Sequence, residues 1–117
     1  MRTRREVLGD DYVDRAIANA DDFSQPLQEI VTEFCWDRIW NRPGLPRKVR
    51  SLLNIAMISV LNRPHELRIH IAGALRNGCT HEEIREALLQ VTIYAGVPAG
   101  VDGFRIAREV LKKDPQA

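Results

Sequence analysis

The fold is decided by the stretch from Trp36 to His70, which reads WDRIWNRPGLPRKVRSLLNIAMISVLNRPHELRIH. Residues 52–61 are apolar on nearly every side of a helix, so we predict a central, buried helix from about Pro46 to Asn62. The Pro-Gly pair at positions 43 and 44 predicts a turn before that helix. The same stretch carries arginines, tryptophans and an acid–histidine pair, which makes it the first place to look for a site.

Helical periodicity continues outside this stretch. Apolar side chains recur every three or four residues along most of the chain, and no segment alternates in the manner of a strand. Further helices are predicted at about residues 10–20, 24–40, 64–77, 81–94 and 98–112. We therefore predict an all-α fold of about six helices in one domain that covers residues 1–117.

Polar residues and glycines mark the ends of these helices. Short side chains that accept hydrogen bonds favour the position before a first turn, and a Thr with a Glu three residues later forms a capping box. Glycine favours the position just after a last turn. The residues expected in these positions are Asp10 or Asp11, Ser24, Gly78, and Thr80 with Glu83.

The overall composition excludes some kinds of partner. With 17 basic and 16 acidic residues the charges nearly cancel, and nucleic-acid binding is not favoured. The longest mostly apolar segment, Leu52 to Leu61, is about half a membrane span, so no membrane association is expected. Cys35 and Cys79 form no disulfide or zinc pattern, which favours a cytoplasmic protein with free thiols.

Apolar residues exceed what so small a domain can bury. A chain of this size buries only about 65% of its unfolded surface. A helix that is apolar all round, with further apolar positions on its neighbours, therefore needs cover from other subunits. We expect a homo-oligomer.

Glu66 and His70 are the first candidates for chemistry. Their spacing of four residues puts both side chains on one face of a helix. A carboxylate beside an imidazole can orient it and raise its pKa, and a histidine can exchange a proton near neutral pH. The alternative is an ordinary helical Glu–His pair. We expect His65 and His81 to be exposed, and three histidines without a tight cluster argue against a metal site.

Three arginines form the second candidate group. Arg47 and Arg50 lie on one face in the first turns of the central helix, where the helix dipole also favours anions. With Arg42 they could hold carboxylates through forked hydrogen bonds. The alternative is a solvated basic helix start that pairs with other subunits. Trp36 and Trp40, also four apart, favour a core position over a site.

Seven segments, taken in order and spacing, resemble one family. They are REVLGDDYVDR (5–15), WNRPGL (40–45), RSLL (50–53), ELRIH (66–70), NG (77–78), EI with EALLQ (83–84 and 86–90), and YAGVPA (94–99). Together they resemble the carboxymuconolactone decarboxylase family over nearly the whole length. Asp37 departs from the pattern, because many family members have glycine there.

The resemblance implies a fold, an assembly and a reaction. The fold is the all-α fold of alkylhydroperoxidase D-type proteins, assembled as a homo-oligomer, typically a hexamer. The reaction is the decarboxylation of 4-carboxymuconolactone, a dicarboxylate lactone, to β-ketoadipate enol-lactone in protocatechuate catabolism, and it needs no cofactor. Peroxidase relatives carry a CxxC before the family histidine. Here Arg63-Pro-His-Glu66 stands instead, which argues against thiol–disulfide exchange.

The resemblance also implies roles for the candidate residues. In these roles His70 is the proton donor or the hydrogen bond to the lactone oxygen, Glu66 orients it, Trp40 lines the pocket, and Arg42, Arg47 and Arg50 bind carboxylates. Two other readings stay open. One is a lactone hydrolase or isomerase of the same family, and the other is a non-enzymatic oligomer that binds small acids.

Overall fold

The computed structural model describes residues 1–114. Within that range the regular structure is entirely helical, with seven α-helices and one π-helical segment, which confirms the all-α prediction. The chain forms two compact units, one of residues 1–46 and one that begins at Arg47. Within residues 1–114 no helix combines the length and the apolar character needed to cross a bilayer.

The first unit consists of short helices. They are α1 (Arg2–Leu8), α2 (Asp10–Ala18) and α3 (Gln25–Ile30), and α3 continues directly as a π-helical segment, Val31–Ile39. Helix α1 packs against both α2 and the π-helical segment. Helix α1 was not predicted from the sequence. The single α-helix predicted at about residues 24–40 is instead α3 followed by the π-helical segment.

Of the two caps predicted in this unit, the one at Asp10 or Asp11 is wrong, and the one at Ser24 is confirmed in position but makes no side-chain cap bond. The residue before α2 is Gly9, and no side chain caps that helix. The Asp10 carboxylate instead accepts a hydrogen bond from Arg5, at 3.2 Å. Ser24 does precede α3, but its hydroxyl accepts from the backbone N–H of Asp21, and the Asp21 carboxylate accepts from the N–H of Ser24. This reciprocal pair closes a turn and leaves α3 without a side-chain cap.

The π-helical segment places two tryptophans together. Its last backbone bond runs from the N–H of Trp40 to the carbonyl of Cys35, a separation of five residues, at 3.0 Å. The rings of Trp36 and Trp40 stack with centroids 5.1 Å apart and an interplanar angle of 23°. Both side chains are buried, as expected of core residues.

The second unit is a pair of helical hairpins. Its helices are α4 (Arg47–Leu61), α5 (Pro64–Arg76), α6 (His81–Ala95) and α7 (Val97–Leu111). Helix α4 packs on α5 and α6, and α7 packs on α5 and α6. All four helices lie within one or two residues of the predicted bounds. Positive φ angles at Asn62, Gly78 and Gly96 allow the sharp turns between them.

The predicted capping box is present at the start of α6. The Thr80 hydroxyl accepts from the N–H of Glu83 at 3.1 Å, and the Glu83 carboxylate accepts from the N–H of Thr80 at 2.9 Å. Lys48 then pairs with the same Glu83 at 2.9 Å, which ties the start of α4 to the start of α6. The local signal in the sequence and the tertiary contact therefore agree here.

One apolar cluster forms the core of the second unit. Its members are Ile55, Leu67, Ile71, Ala74, Cys79, Ile84, Leu88, Ile106 and Ala107. Helix α4 is central, but the prediction that it is buried all round is wrong for a single copy. Ser51, Ile55 and Ser59 form its buried face. Its other side exposes Leu53, Met57, Val60 and Leu61, which no element of this chain covers within the described residues.

Candidate active site

His70 lies in the middle of α5 and is partly buried. Burial lowers the pKa of His70 below its ordinary value, and the negative charge of Glu66 opposes that shift only in part. Glu66 thus acts in the predicted direction, but the effect of burial on the pKa of His70 is larger. The imidazole is neutral at pH 7, where it offers one N–H donor and one acceptor nitrogen.

Glu66 is exposed in the first turn of α5, one turn before His70. The two side chains share a face of the helix because they are four residues apart. The carboxylate also stands at the helix N-terminus, where the backbone dipole favours negative charge. Glu66 thus lies close enough to influence the charge of His70 while it remains in contact with water.

Arg47 and Arg50 are partly buried in the first turn of α4, close to the far end of α5. The register is set by the Asn77 amide, which donates to the Ser51 hydroxyl at 2.8 Å. His70 precedes Asn77 by seven residues, so it lies about 10 Å along the helix axis from this level, at 1.5 Å per residue. Arg47 and Arg50 are therefore separated from His70 along the helix axis by about this distance or more.

The other two predicted site residues, Trp40 and Arg42, belong to the first unit. Trp40 is only 4% exposed, so little of its ring is open to a ligand in this chain. Arg42 is exposed just after the π-helical segment. The structure thus joins Glu66 with His70 on α5, and Arg47 with Arg50 on α4.

The other two histidines differ from each other. His65 is exposed, as predicted. The same prediction is wrong for His81, which is partly buried because its Nε2 lies 2.5 Å from the carboxylate of Asp114. In residues 1–114 no three His, Cys, Asp or Glu side chains form a group able to hold a metal ion.

Both cysteines are poor nucleophiles. Cys79 is fully buried, and burial, with a smaller contribution from the charge of Glu83, raises its pKa to about 11. Cys35 is partly buried, and burial also raises the pKa of its thiol. Because the thiolate is the reactive form, neither side chain suits nucleophilic or redox chemistry at neutral pH.

An open apolar groove between α4 and α6 was not recognised as such from the sequence. It has a volume of about 690 Å³ and is lined by Ala56, Met57, Val60, Leu61, Gln90, Val91, Tyr94 and Ala95. Tyr94 is 82% exposed beside it. The all-round apolar pattern of α4 was the available signal, and it indicated burial without saying against what.

Comparison with known proteins gives a consistent result. The model of the "Carboxymuconolactone decarboxylase family" matches residues 25–109. A 4-carboxymuconolactone decarboxylase of Acinetobacter baylyi is 42% identical over 96% of this chain and 84% of its own length. A nitrosuccinic acid decarboxylase of Metarhizium robertsii is 40% identical over 95% of this chain and 78% of its own length. An uncharacterised 15.0 kDa protein of Paracoccus denitrificans is 34% identical over 72% of this chain and 64% of its own length.

Proposed function

The chain belongs to the carboxymuconolactone decarboxylase family, and we propose that it is a decarboxylase that converts 4-carboxymuconolactone to β-ketoadipate enol-lactone and CO₂ in protocatechuate catabolism. The observation that carries this proposal is the 42% identity, over nearly the full length, with a protein of that activity. The residues quoted for the family resemblance include Glu66, His70 and Arg50 of the candidate site.

The substrate can supply its own electron sink. The carboxylate that leaves sits on the ring carbon γ to the lactone carbonyl, and a C=C bond lies between them. When the C–C bond to the leaving carboxylate breaks, its electron pair moves through the double bond onto the carbonyl oxygen of the lactone. A proton then adds to the carbon α to the carbonyl, and the γ carbon keeps the new double bond. The enzyme must stabilise the oxyanion and guide the proton.

The second relative points to what the site requires of a substrate. Nitrosuccinic acid and 4-carboxymuconolactone share a carbon that bears the leaving carboxylate and a carboxymethyl arm. In nitrosuccinic acid that carbon also bears a nitro group. In 4-carboxymuconolactone it is bonded to the C=C of the unsaturated lactone. Both groups accept the electron pair that CO₂ leaves behind onto an oxygen atom. Both substrates therefore have two requirements. The first is a cation that binds the carboxylate of the carboxymethyl arm, and the second is a hydrogen-bond donor to the nitro or lactone carbonyl oxygen that becomes negative.

His70 meets the second requirement. Because burial lowers its pKa, the side chain is a neutral imidazole at pH 7. This supports a hydrogen bond from His70 to the lactone oxygen over the alternative of a proton delivered by imidazolium. Glu66 lies one helical turn before His70 on the same face and orients the ring. A neutral donor in a partly buried place needs little reorganisation as the oxyanion forms.

The arginines meet the first requirement. Arg47 and Arg50 present two guanidinium groups at the start of α4, and a guanidinium binds a carboxylate through two parallel hydrogen bonds. We assign them, with Arg42, to the carboxylates of the substrate, and Trp40 to the pocket wall. Arg50 is nearer than Arg47 to the level of His70, which makes it the first choice for the carboxymethyl arm.

We also propose that the enzyme works as a homo-oligomer, with the homohexamer of the family as the expected form. Exposed apolar side chains on α4 and α6 support this, among them Met57, Val60, Ile93 and Tyr94. A contiguous apolar surface of this kind is typical of a protein interface. Light scattering coupled to gel filtration measures the subunit number. The cytoplasmic location inferred from the cysteines stays a prediction.

The test of the proposed function is CO₂ release from enzymatically prepared 4-carboxymuconolactone, with EDTA present and no added thiol. We expect one CO₂ for each lactone consumed, well above the spontaneous rate. Lactone loss without CO₂ would indicate a hydrolase or isomerase, and saturable binding without turnover would indicate a binding protein. Nitrosuccinic acid, assayed in parallel, measures the preference between the two substrates.

A further inference from the structure

A second cavity lies wholly within the first unit, around Arg4. Its volume is about 460 Å³, and its walls come from α1, α2, α3 and the π-helical segment. The lining residues are Met1, Arg4, Ile17, Ala20, Gln25, Gln28, Glu29, Thr32, Glu33 and Asp37. None of these residues has a role in the proposed decarboxylation.

Arg4 is a buried cation without a carboxylate. Its residue is only 4% exposed. One terminal nitrogen donates to the Thr32 hydroxyl at 3.2 Å, while the buried Nε has no acceptor within residues 1–114. No carboxylate in that range lies within salt-bridge distance of this guanidinium. A buried charge without an opposite charge is strongly unfavourable, and a bound anion would relieve that cost.

A second buried polar atom without a partner in residues 1–114 belongs to Gln28, which also lines this cavity. The Gln28 carbonyl oxygen is buried and has no donor within the described residues. Since the oxygen and nitrogen of an amide are exchanged by a half-turn of the group, Gln28 can present its Nε2–H₂ instead. Arg4 and Gln28 then offer several N–H donors and no competing carboxylate at hydrogen-bonding distance.

The remaining charges limit the kind of anion. The N-terminal amine of Met1 and the carboxylate of Asp37 neutralise each other at 2.5 Å. Glu29 and Glu33 also line the cavity, and their negative charges oppose a dianion. Together with the apolar surface, these charges favour a single carboxylate on an apolar body.

We propose that the Arg4 cavity binds one carboxylate group, which accepts hydrogen bonds from the Arg4 guanidinium and the Gln28 amide. The group comes from a small organic monocarboxylic acid or from an aspartate or glutamate side chain of a second copy of this chain. All residues of this cavity belong to the first unit, and binding can be measured there independently of turnover.

The first measurement is calorimetric titration of the full chain, using benzoate as the probe and succinate for comparison. We expect benzoate to bind at least tenfold more tightly than succinate, since Glu29 and Glu33 repel the second charge. The Arg4 Nε–H signal in a ¹H–¹⁵N spectrum must shift on addition of benzoate. That spectrum uses the wild-type protein and does not depend on whether a variant folds.

The matched variants are Arg4→Met, which removes the buried charge, and Arg2→Met, which removes an exposed arginine paired with Glu6. If the acid comes from solution, Arg4→Met weakens benzoate binding at least tenfold and Arg2→Met leaves it unchanged. If the carboxylate belongs to a second copy, benzoate does not bind, and Arg4→Met but not Arg2→Met lowers the subunit number. The proposal would be overturned if Arg4→Met altered neither benzoate binding nor the subunit number and the Arg4 signal of wild type did not shift with benzoate.

Discussion

Different kinds of internal contact stabilise the two units of the chain. The second unit closes around one apolar cluster drawn from all four of its helices, with Ile71 and Ile84 fully buried. The first unit buries polar side chains beside apolar ones, and its long-range contacts include a hydrogen bond of 2.7 Å from Thr3 to Asn41. Apolar periodicity is thus a good guide to the second unit and a poor one to the first.

The largest expected effect is a core truncation in the second unit. Ile71→Ala should lower the free energy of unfolding by about 2–5 kcal/mol, because Ile71 is fully buried and leaves a cavity. Ile17→Ala in the first unit, where the side chain is 44% exposed, should cost less than about 1 kcal/mol. Urea unfolding followed by circular dichroism measures both.

The two tryptophans sharpen this test, since both lie in the first unit and report on it alone by fluorescence. If Ile71→Ala shifts the circular dichroism transition and leaves the fluorescence transition in place, the units unfold separately. Coincident shifts would mean that they unfold together. Equal losses for the Ile71 and Ile17 variants would contradict the contrast between the units.

The next largest loss of stability is expected where α6 and α7 approach closely. A Cβ at Gly100 would lie 2.7 Å from the Cβ of Thr92, whose hydroxyl is fixed by a bond to the carbonyl of Leu88. At Gly103 the nearest atom is the end of the flexible Leu88 side chain. Gly100→Ala should therefore destabilise by about 1–3 kcal/mol, and more than Gly103→Ala. A thermal melt that ranks them in the opposite order would contradict this packing.

The sequence was sufficient where the signals were local. Pro64 at a first turn, Gly78 after a last turn and the Thr80–Glu83 box fixed the bounds of helices in the second unit. It was insufficient where a side chain had a competing partner. Ser24 has the right identity for a cap, but Asp21 occupies its hydroxyl, and Asp10 is drawn to Arg5.

The candidate site was predictable only in part, for a similar reason. The spacing of Glu66 and His70 gave their shared face, but the pKa of His70 depends on burial by neighbouring helices, which spacing does not report. His81 appeared exposed because its partner, Asp114, is 33 residues away. The Arg4 cavity was missed because a charged first turn is usually solvated, and nothing local indicates that this arginine is buried.

Helix capping gives a smaller contrast between the units. Thr80→Ala removes a side-chain bond to the N–H of Glu83 and should cost about 1 kcal/mol. Ser24→Ala removes no cap bond to α3 and should cost less. Chemical denaturation of both variants compares them directly, and an equal or larger loss at Ser24 would show that the Asp21–Ser24 turn is worth as much as a true cap.

The pH dependence of stability is the finest test, and it concerns His70. Because the folded state lowers its pKa, the unfolded chain binds the proton more readily. Its contribution to stability is therefore complete above the unfolded pKa of about 6.5 and is lost as the pH falls toward the folded value. Between pH 8 and pH 5, wild type should lose more unfolding free energy than His70→Gln. Parallel curves would contradict burial of this imidazole.

The most direct test of the central claim is CO₂ release from 4-carboxymuconolactone by wild type, His70→Ala and His65→Ala at pH 7. His65 is the matched control, because it is exposed on the same helix. We predict stoichiometric CO₂ release by wild type and His65→Ala, and a fall in kcat of about 100-fold or more in His70→Ala, as for the loss of one oxyanion donor. Full turnover by a folded His70→Ala variant would contradict the account.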